Sequence, residues 1–228
     1  MKGLLIGGFT TLGTGTGAML TLQTQAGLDP LHTLISEYAF HPIGWLLPAS
    51  LTLFAVGAAF IAEGLRRSGA GRGAASLVAV WGVCMLLLGL FPTDPPGFEL
   101  SMSGAIHRYA GFVAFLVMPV AGLLLVRAKA HYARAMKALS GVAIAALVLV
   151  VLPYLVRMAG VPVDNADIPA GLTQRLVVLS EVGLLLLLGL HLVRLPQASG
   201  HRTPRLVTVQ HAAPAAPVAA GTSRSLAA

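Results

Sequence analysis

The sequence predicts an all-α protein: a polytopic membrane bundle of six transmembrane helices, with both termini in the cytoplasm. Of the 228 residues, 56% are hydrophobic and only 10% are charged, which leaves too few polar side chains to cover a soluble domain of this size. Several apolar runs approach the roughly 20 residues that a helix needs to cross a bilayer. These runs are rich in Leu, Val and Ala without two-residue alternation, which excludes a transmembrane barrel.

Six apolar runs predict the transmembrane helices, and polar or Pro-rich segments separate them. The first run contains Gly3, Gly7, Gly13 and Gly17, whose small-xxx-small spacing lets another helix approach closely. A second copy of the chain is therefore an expected partner, forming a homo-oligomer through this face of the helix. Pro153 lies near the end of the fifth run, where a kink is expected. The predicted spans are 3–22, 43–62, 74–91, 107–126, 138–158 and 171–193.

The distribution of basic residues predicts the orientation. Twelve Lys and Arg residues lie before the first span, between spans two and three, between spans four and five, and after the sixth. The opposite side has three, Arg108, Arg157 and Arg175. Because basic residues collect in cytoplasmic loops, both termini are placed in the cytoplasm. The net charge of +7 therefore reflects topology, and no nucleic-acid partner is expected.

Composition divides the chain into two parts. Residues 1–195 contain all six spans and are predicted to form the transmembrane domain. Residues 196–228 are rich in Ala, Pro, Ser and Arg without a periodic apolar face, which predicts a disordered cytoplasmic tail. Cys84 is alone inside an apolar run, so no disulfide framework exists and a packing role is expected for it.

The predicted topology brings seven ionisable side chains to the non-cytoplasmic surface, namely Glu37, His41, Asp94, His107, Arg108, Asp164 and Arg175. Glu181 differs from them: it follows Leu172 by nine residues, which places it roughly 13 Å deeper. An acid at such depth is costly and normally faces a cavity or a partner. We therefore expect an outward-facing polar pocket that binds a lipid headgroup or a small polar ligand. Its expected lining residues are Glu37, His41, Asp94, His107, Arg108, Gln174, Arg175 and Glu181.

Three alternatives for these residues stay open. In the first, Arg108 and Arg175 pair with Asp94, Glu37 or Glu181 and only fix helix ends together. In the second, His41, Asp94 and His107 are weak candidate ligands of a divalent metal in an intramembrane hydrolase acting on lipid. No tight motif such as HExxH supports that site, and otherwise no cofactor is expected. In the third, Glu181 is the titrating group of a small proton-coupled transporter.

The order of several short motifs resembles that of a known family. These motifs are Ser36-Glu37-Tyr38, His41-Pro42-Ile43-Gly44-Trp45, Phe91-Pro92-Thr93-Asp94, and His107-Arg108 with Ala114-Phe115. Over residues 5–195 the chain resembles the prokaryotic membrane family known as domain of unknown function 998. The resemblance implies a six-helix protein of the prokaryotic plasma membrane, with membrane lipids as partners. It implies no particular reaction, but it favours Asp94 and His107 for a family-level role.

Overall fold

The computed structural model describes residues 1–128, 130–160 and 168–195. In these residues the chain forms six long α-helices and one short 3-10 helix, Ile35–Phe40, without any strand. The predicted all-helical class is confirmed. The long helices are α1 Lys2–Gln25, α2 Leu46–Ser68, α3 Arg72–Leu90, α4 Met102–Arg127, α5 Ala133–Met158 and α6 Ala170–Arg194.

Helices α2 to α6 are long and apolar enough to cross a membrane, α5 over Ala133–Pro153. The chain is therefore an integral membrane protein. Helix α1 has 24 residues, about 36 Å of length at 1.5 Å per residue, but it is rich in Gly and Thr and falls outside this group of five. Its threonine hydroxyls donate back to carbonyls one turn earlier, as Thr16 does to Leu12 O at 2.8 Å. The number of spans and the side of the termini stay predictions.

Consecutive helices run antiparallel, as the glycine contacts between α1 and α2 show. Gly8 lies beside Ile61, and Gly15 lies beside Phe54, where an added Cβ would be 3.0 Å from the ring. Gly57 of α2 makes a further close approach, since an added Cβ there would lie 2.7 Å from Leu12. Of the glycines singled out in the sequence, Gly7 lies against Phe60, whereas Gly3, Gly13 and Gly17 have no neighbour within 4 Å of an added Cβ.

Helix α6 is the central element, since it contacts α1, α2, α4 and α5. Two glycines make its close approaches possible: Gly189 receives the ring of Phe9, and Gly64 of α2 receives Leu192. A larger residue at either position would require the facing side chain to move, since an added Cβ would lie 2.9 Å from Phe9 or 2.7 Å from Leu192. The residues of α6 are therefore fixed relative to almost every other helix.

Several helix ends differ from the predicted spans. Helix α2 continues to Ser68 and ends at Gly69, whose φ of 68° is the left-handed conformation that favours glycine. Of the basic residues expected in a loop there, Arg66 and Arg67 belong to its last turn and Arg72 is the first residue of α3. Pro153 lies inside α5, which continues to Met158. The predicted tail, 196–228, lies outside the described residues, so the division into two domains stays a prediction.

Candidate ligand-binding cavity

A cavity of about 420 Å³ lies inside the bundle, and all six helices contribute to its wall. This volume is within the range of ligand pockets in proteins. Most of the wall consists of Leu, Val, Phe and Met side chains, from Met19 of α1 to Val178 of α6. The wall also contains a few residues with polar groups, namely Ser36, Trp81, Thr93, His107, Arg108, Tyr109, Gln174 and Glu181.

Glu181 and Trp81 form a hydrogen-bonded pair between α6 and α3. The indole Nε1 of Trp81 donates to Glu181 Oε2 at 2.9 Å, and both side chains are only 1% exposed. The other carboxyl oxygen, Oε1, is buried without a hydrogen-bond partner among the described residues. Sequence reasoning missed Trp81, although an indole N–H in the middle of an apolar run signals a buried acceptor nearby.

Asp94 organises the connection between α3 and α4. Its carboxylate accepts hydrogen bonds from the backbone N–H of Ser101 at 3.0 Å and from the Ser101 hydroxyl at 2.5 Å. The same hydroxyl oxygen accepts from Gly104 N and so caps the start of α4. The hydrogen bonds from Ser101, its side chain first, hold the pKa of Asp94 below its usual range. Asp94 is not among the residues that line the cavity.

His107 ties the same connection to the cavity. Its Nδ1 lies 2.8 Å from the carbonyl oxygen of Phe91, and because a carbonyl only accepts, Nδ1 carries the hydrogen. The imidazole lines the main cavity and also a second one of about 210 Å³, which lies near the start of α2 and the end of α3. The end of the bundle formed by this connection and by the α1–α2 connection is called the His107 end below.

Arg108 is an exposed cation beside the cavity. Among the described residues its guanidinium forms neither a hydrogen bond nor a salt bridge, which distinguishes it from Arg66, held by Glu63 at 2.6 Å. Arginine presents five N–H donors in a planar fork that matches carboxylate and phosphate oxygens. The guanidinium of Arg108 could therefore donate hydrogen bonds to an anionic group at the His107 end.

Arg175 fastens the α1–α2 connection to α6. Its guanidinium donates to Gln23 Oε1 at 2.7 Å, to Thr33 O at 2.9 Å and to the Tyr38 hydroxyl at 2.9 Å. Those acceptors are neutral oxygens, and the guanidinium also lies 5.4 Å from the centre of the Tyr38 ring. The expected partner of Arg175 was an acid, whereas its observed role is to fix three segments in place. Arg175 does not line the cavity.

The neighbouring Gln174 makes a similar link, since its Oε1 accepts from Ile35 N at 2.6 Å. Unlike Arg175, it also lines the cavity.

Glu37 accepts from Leu34 N at 3.0 Å and so caps the 3-10 helix. His41 Nδ1 accepts a long hydrogen bond of 3.4 Å from Ile43 N. Neither Glu37 nor His41 lines the cavity, so the structure divides the eight expected residues into four that do and four that do not.

Two alternatives depend on contacts between these residues. Over residues 1–128, 130–160 and 168–195, no salt bridge joins Arg108 or Arg175 to an acid, and the hydrogen bonds of Asp94 and Arg175 go to neutral groups. Within the same ranges, no three His, Cys, Asp or Glu side chains are grouped so as to hold a metal ion. A metal-dependent hydrolase and a proton-coupled transporter both stay predictions.

The fold and the cavity define this class of protein: an all-helical integral membrane protein with a largely apolar internal cavity. The family described as "Protein of unknown function (DUF998)" matches residues 7–191, and the chain belongs to it. The family predicted from the order of the short motifs is thereby confirmed. No curated protein and no solved structure matches the chain significantly.

Proposed function

We propose that this integral membrane protein binds a lipid-like amphiphile in its cavity, with an anionic headgroup at Arg108 and an apolar chain along the wall. It does so in a prokaryotic plasma membrane, with six spanning helices and both termini in the cytoplasm. The His107 end then faces outward, at the level where lipid headgroups lie. This proposal narrows the expected ligand, a lipid headgroup or small polar molecule, to one that also has a long apolar part.

The composition of the cavity wall supports an amphiphile over a small polar molecule. A polar molecule would leave the Leu, Val, Phe and Met side chains of the wall in contact with water, which is unfavourable by about 25 cal/mol per Å². An alkyl chain covers the same side chains and gains that free energy. The bilayer supplies such molecules at high local concentration, so no soluble carrier is required.

The single observation that carries the proposal is the position of Arg108, exposed and beside a mostly apolar cavity. A guanidinium there places its charge-assisted hydrogen bonds where the head of an amphiphile ends and its chain begins. His107, one residue earlier on α4, lines the same cavity and adds a second polar group near the head.

Arg108→Gln tests this proposal. The purified protein in detergent is titrated with a fluorescent fatty acid, and affinity is measured from the change in emission. Hydrogen bonds to charged groups contribute about 1.5–3 kcal/mol, so we expect affinity to fall about tenfold or more. Arg72→Gln is the matched control, because Arg72 is also exposed but lies at the opposite end of the bundle, and it should bind as the wild type does.

The result that contradicts the proposal is equally direct. If the fatty acid does not bind the wild type, or if it binds Arg108→Gln and Arg72→Gln with equal affinity, the cavity is not a site for anionic amphiphiles of this kind. Native mass spectrometry of protein extracted from membranes gives an independent check, because a resident lipid should be lost from Arg108→Gln alone.

A further inference from the structure

We propose that Glu181 recognises a hydroxyl group on the chain of the bound amphiphile, so that the ligand class is a hydroxylated lipid or fatty acid. This inference rests on the proposed function and adds a second recognition point to it. Arg108 would hold the head of the ligand, and Glu181 would select among chains by a polar group that most lipid chains lack.

The argument begins with the unsatisfied oxygen of Glu181. Nearly all buried polar atoms in proteins have a hydrogen-bond partner, and each exception calls for an explanation. Glu181 is 1% exposed and lines the cavity, and its Oε1 has no partner among the described residues. Leaving such a group unpaired costs about 1–3 kcal/mol. A ligand atom that pairs with Oε1 recovers this free energy when it binds.

The second step is the rigidity of the carboxyl group. The bond from Trp81 Nε1 to Oε2 occupies one oxygen and connects α6 to α3, and Trp81 itself is 1% exposed. Both side chains line the cavity. A carboxyl group held in this way loses little conformational freedom when a ligand arrives, so the hydrogen bond contributes more to affinity.

A hydroxyl group fits this position better than the alternatives. It both donates and accepts, so it pairs with Oε1 whether or not the carboxyl carries a proton. A fully apolar chain would leave Oε1 unpaired in the occupied cavity. Sites built to hydrogen-bond a ligand hydroxyl discriminate strongly against analogues that lack it, because the polar group of the site is then left unsatisfied.

The depths of the two residues indicate where the hydroxyl lies. Arg108 follows the first residue of α4, Met102, by six positions, about 9 Å along the helix axis at 1.5 Å per residue. Glu181 follows the first residue of α6, Ala170, by eleven positions, about 16 Å on the same basis. Counted from the helix starts, Glu181 thus lies about five residues further along its helix than Arg108 does, and we expect the hydroxyl to be several carbon atoms from the charged head.

The test compares fatty acids that differ only in the position of one hydroxyl group. Each acid displaces the fluorescent fatty acid from the purified full-length protein, and affinities are compared with that of the unsubstituted acid of equal length. When the hydroxyl group lies at the carbon atoms that reach Glu181, we expect the hydroxylated acid to bind about tenfold more tightly than the plain acid. One recovered hydrogen bond is of the order of 1.4 kcal/mol. Glu181→Met should abolish this preference, because a thioether offers no comparable hydrogen-bonding group to the hydroxyl.

Glu181→Gln guards against a misfolded variant, because its amide keeps the size and the hydrogen-bonding capacity of the carboxyl group. It should retain the preference for the hydroxylated acid. If every hydroxylated acid binds the wild type no better than the plain acid, the inference is wrong. When the plain acid still binds and still depends on Arg108, the proposed function survives that outcome. When no fatty acid binds at all, both are overturned.

Discussion

Asp94 and Glu181 are both carboxyl groups predicted to belong to one pocket, yet the structure gives them different surroundings. Asp94 accepts two hydrogen bonds from Ser101 and stabilises the start of α4. Glu181 is held by Trp81 at one oxygen, and its other oxygen is buried without a hydrogen-bond partner among the described residues. At the scale of single residues, the number of protein donors around each carboxyl group therefore separates an acid that is fully paired within the protein from one that is not.

The hydrogen bonds of Asp94 predict a pH-dependent stability. Because the folded-state pKa of Asp94 lies below the ordinary value of 3.8, Asp94 stabilises the fold above that value. This contribution is lost as the pH falls through the lowered pKa. Asp94→Asn should therefore melt at a lower temperature than the wild type at neutral pH, with the difference shrinking in strong acid. Thermal melts followed by circular dichroism measure this effect.

Glu99→Gln provides the control for Asp94→Asn. Glu99 is an exposed acid in the same connection and makes no hydrogen bond or salt bridge within the described residues, so its replacement should leave the melting temperature unchanged at both pH values. Equal melting of Asp94→Asn and wild type at neutral pH would show that the cap does not stabilise the connection.

At the scale of elements, helix α1 depends on glycines that face α2. Gly15 is buried beside Phe54, whereas Gly13, two residues earlier, has open space around it. Sequence spacing alone favoured Gly3, Gly7, Gly13 and Gly17, of which only Gly7 has a neighbour close to an added Cβ. Three of the four therefore point away from the bundle, where they remain accessible to a second copy of the chain.

Leucine substitutions in α1 distinguish the two glycine faces. Gly15→Leu places a side chain where Phe54 already lies, so we expect it to destabilise the bundle by about 1–3 kcal/mol. Gly13→Leu should leave the monomer as stable as the wild type. Thermal melting measures both effects, and similar losses for the two variants would contradict this assignment of faces.

At the scale of the whole molecule, large apolar side chains lie on the outside as well as the inside. Leu179 is 65% exposed and Val148 57% exposed, as expected where the neighbour is a lipid chain instead of water. Glu181 is the acidic side chain that lies well inside a helix among the described residues, and it lines the cavity. Five helices satisfy the requirements for spanning, and α1 packs along α2 over a similar length, which supports a sixth span.

Single cysteines test the orientation of the whole bundle. Under the proposed topology, a membrane-impermeant maleimide should label Glu99→Cys in intact cells, because the α3–α4 connection faces outward. Arg72→Cys, at the start of α3, should be labelled only after the cells are permeabilised. The opposite pattern would show that the bundle has the inverse orientation. Labelling of both residues from outside would show that α3 does not span the membrane.

The amino-acid sequence by itself determined the all-helical class, the helices α2 to α6 as membrane segments and the family. These properties depend on composition, on run length and on the order of short motifs, all of which are local. The sequence also directed attention to Glu181, because an acid inside an apolar run is costly wherever the neighbouring helices lie.

Only the tertiary structure decided which polar groups meet. His107, Arg108, Gln174 and Glu181 line the cavity, while the hydrogen bonds of Asp94 and Arg175 hold connections in place. The partner of Glu181 is Trp81, a hundred residues away in the chain. Such pairs depend on the rotation of each helix about its axis and on how closely glycines let the helices approach. Those properties are set by packing among all six helices and are not encoded in the spacing of any one segment.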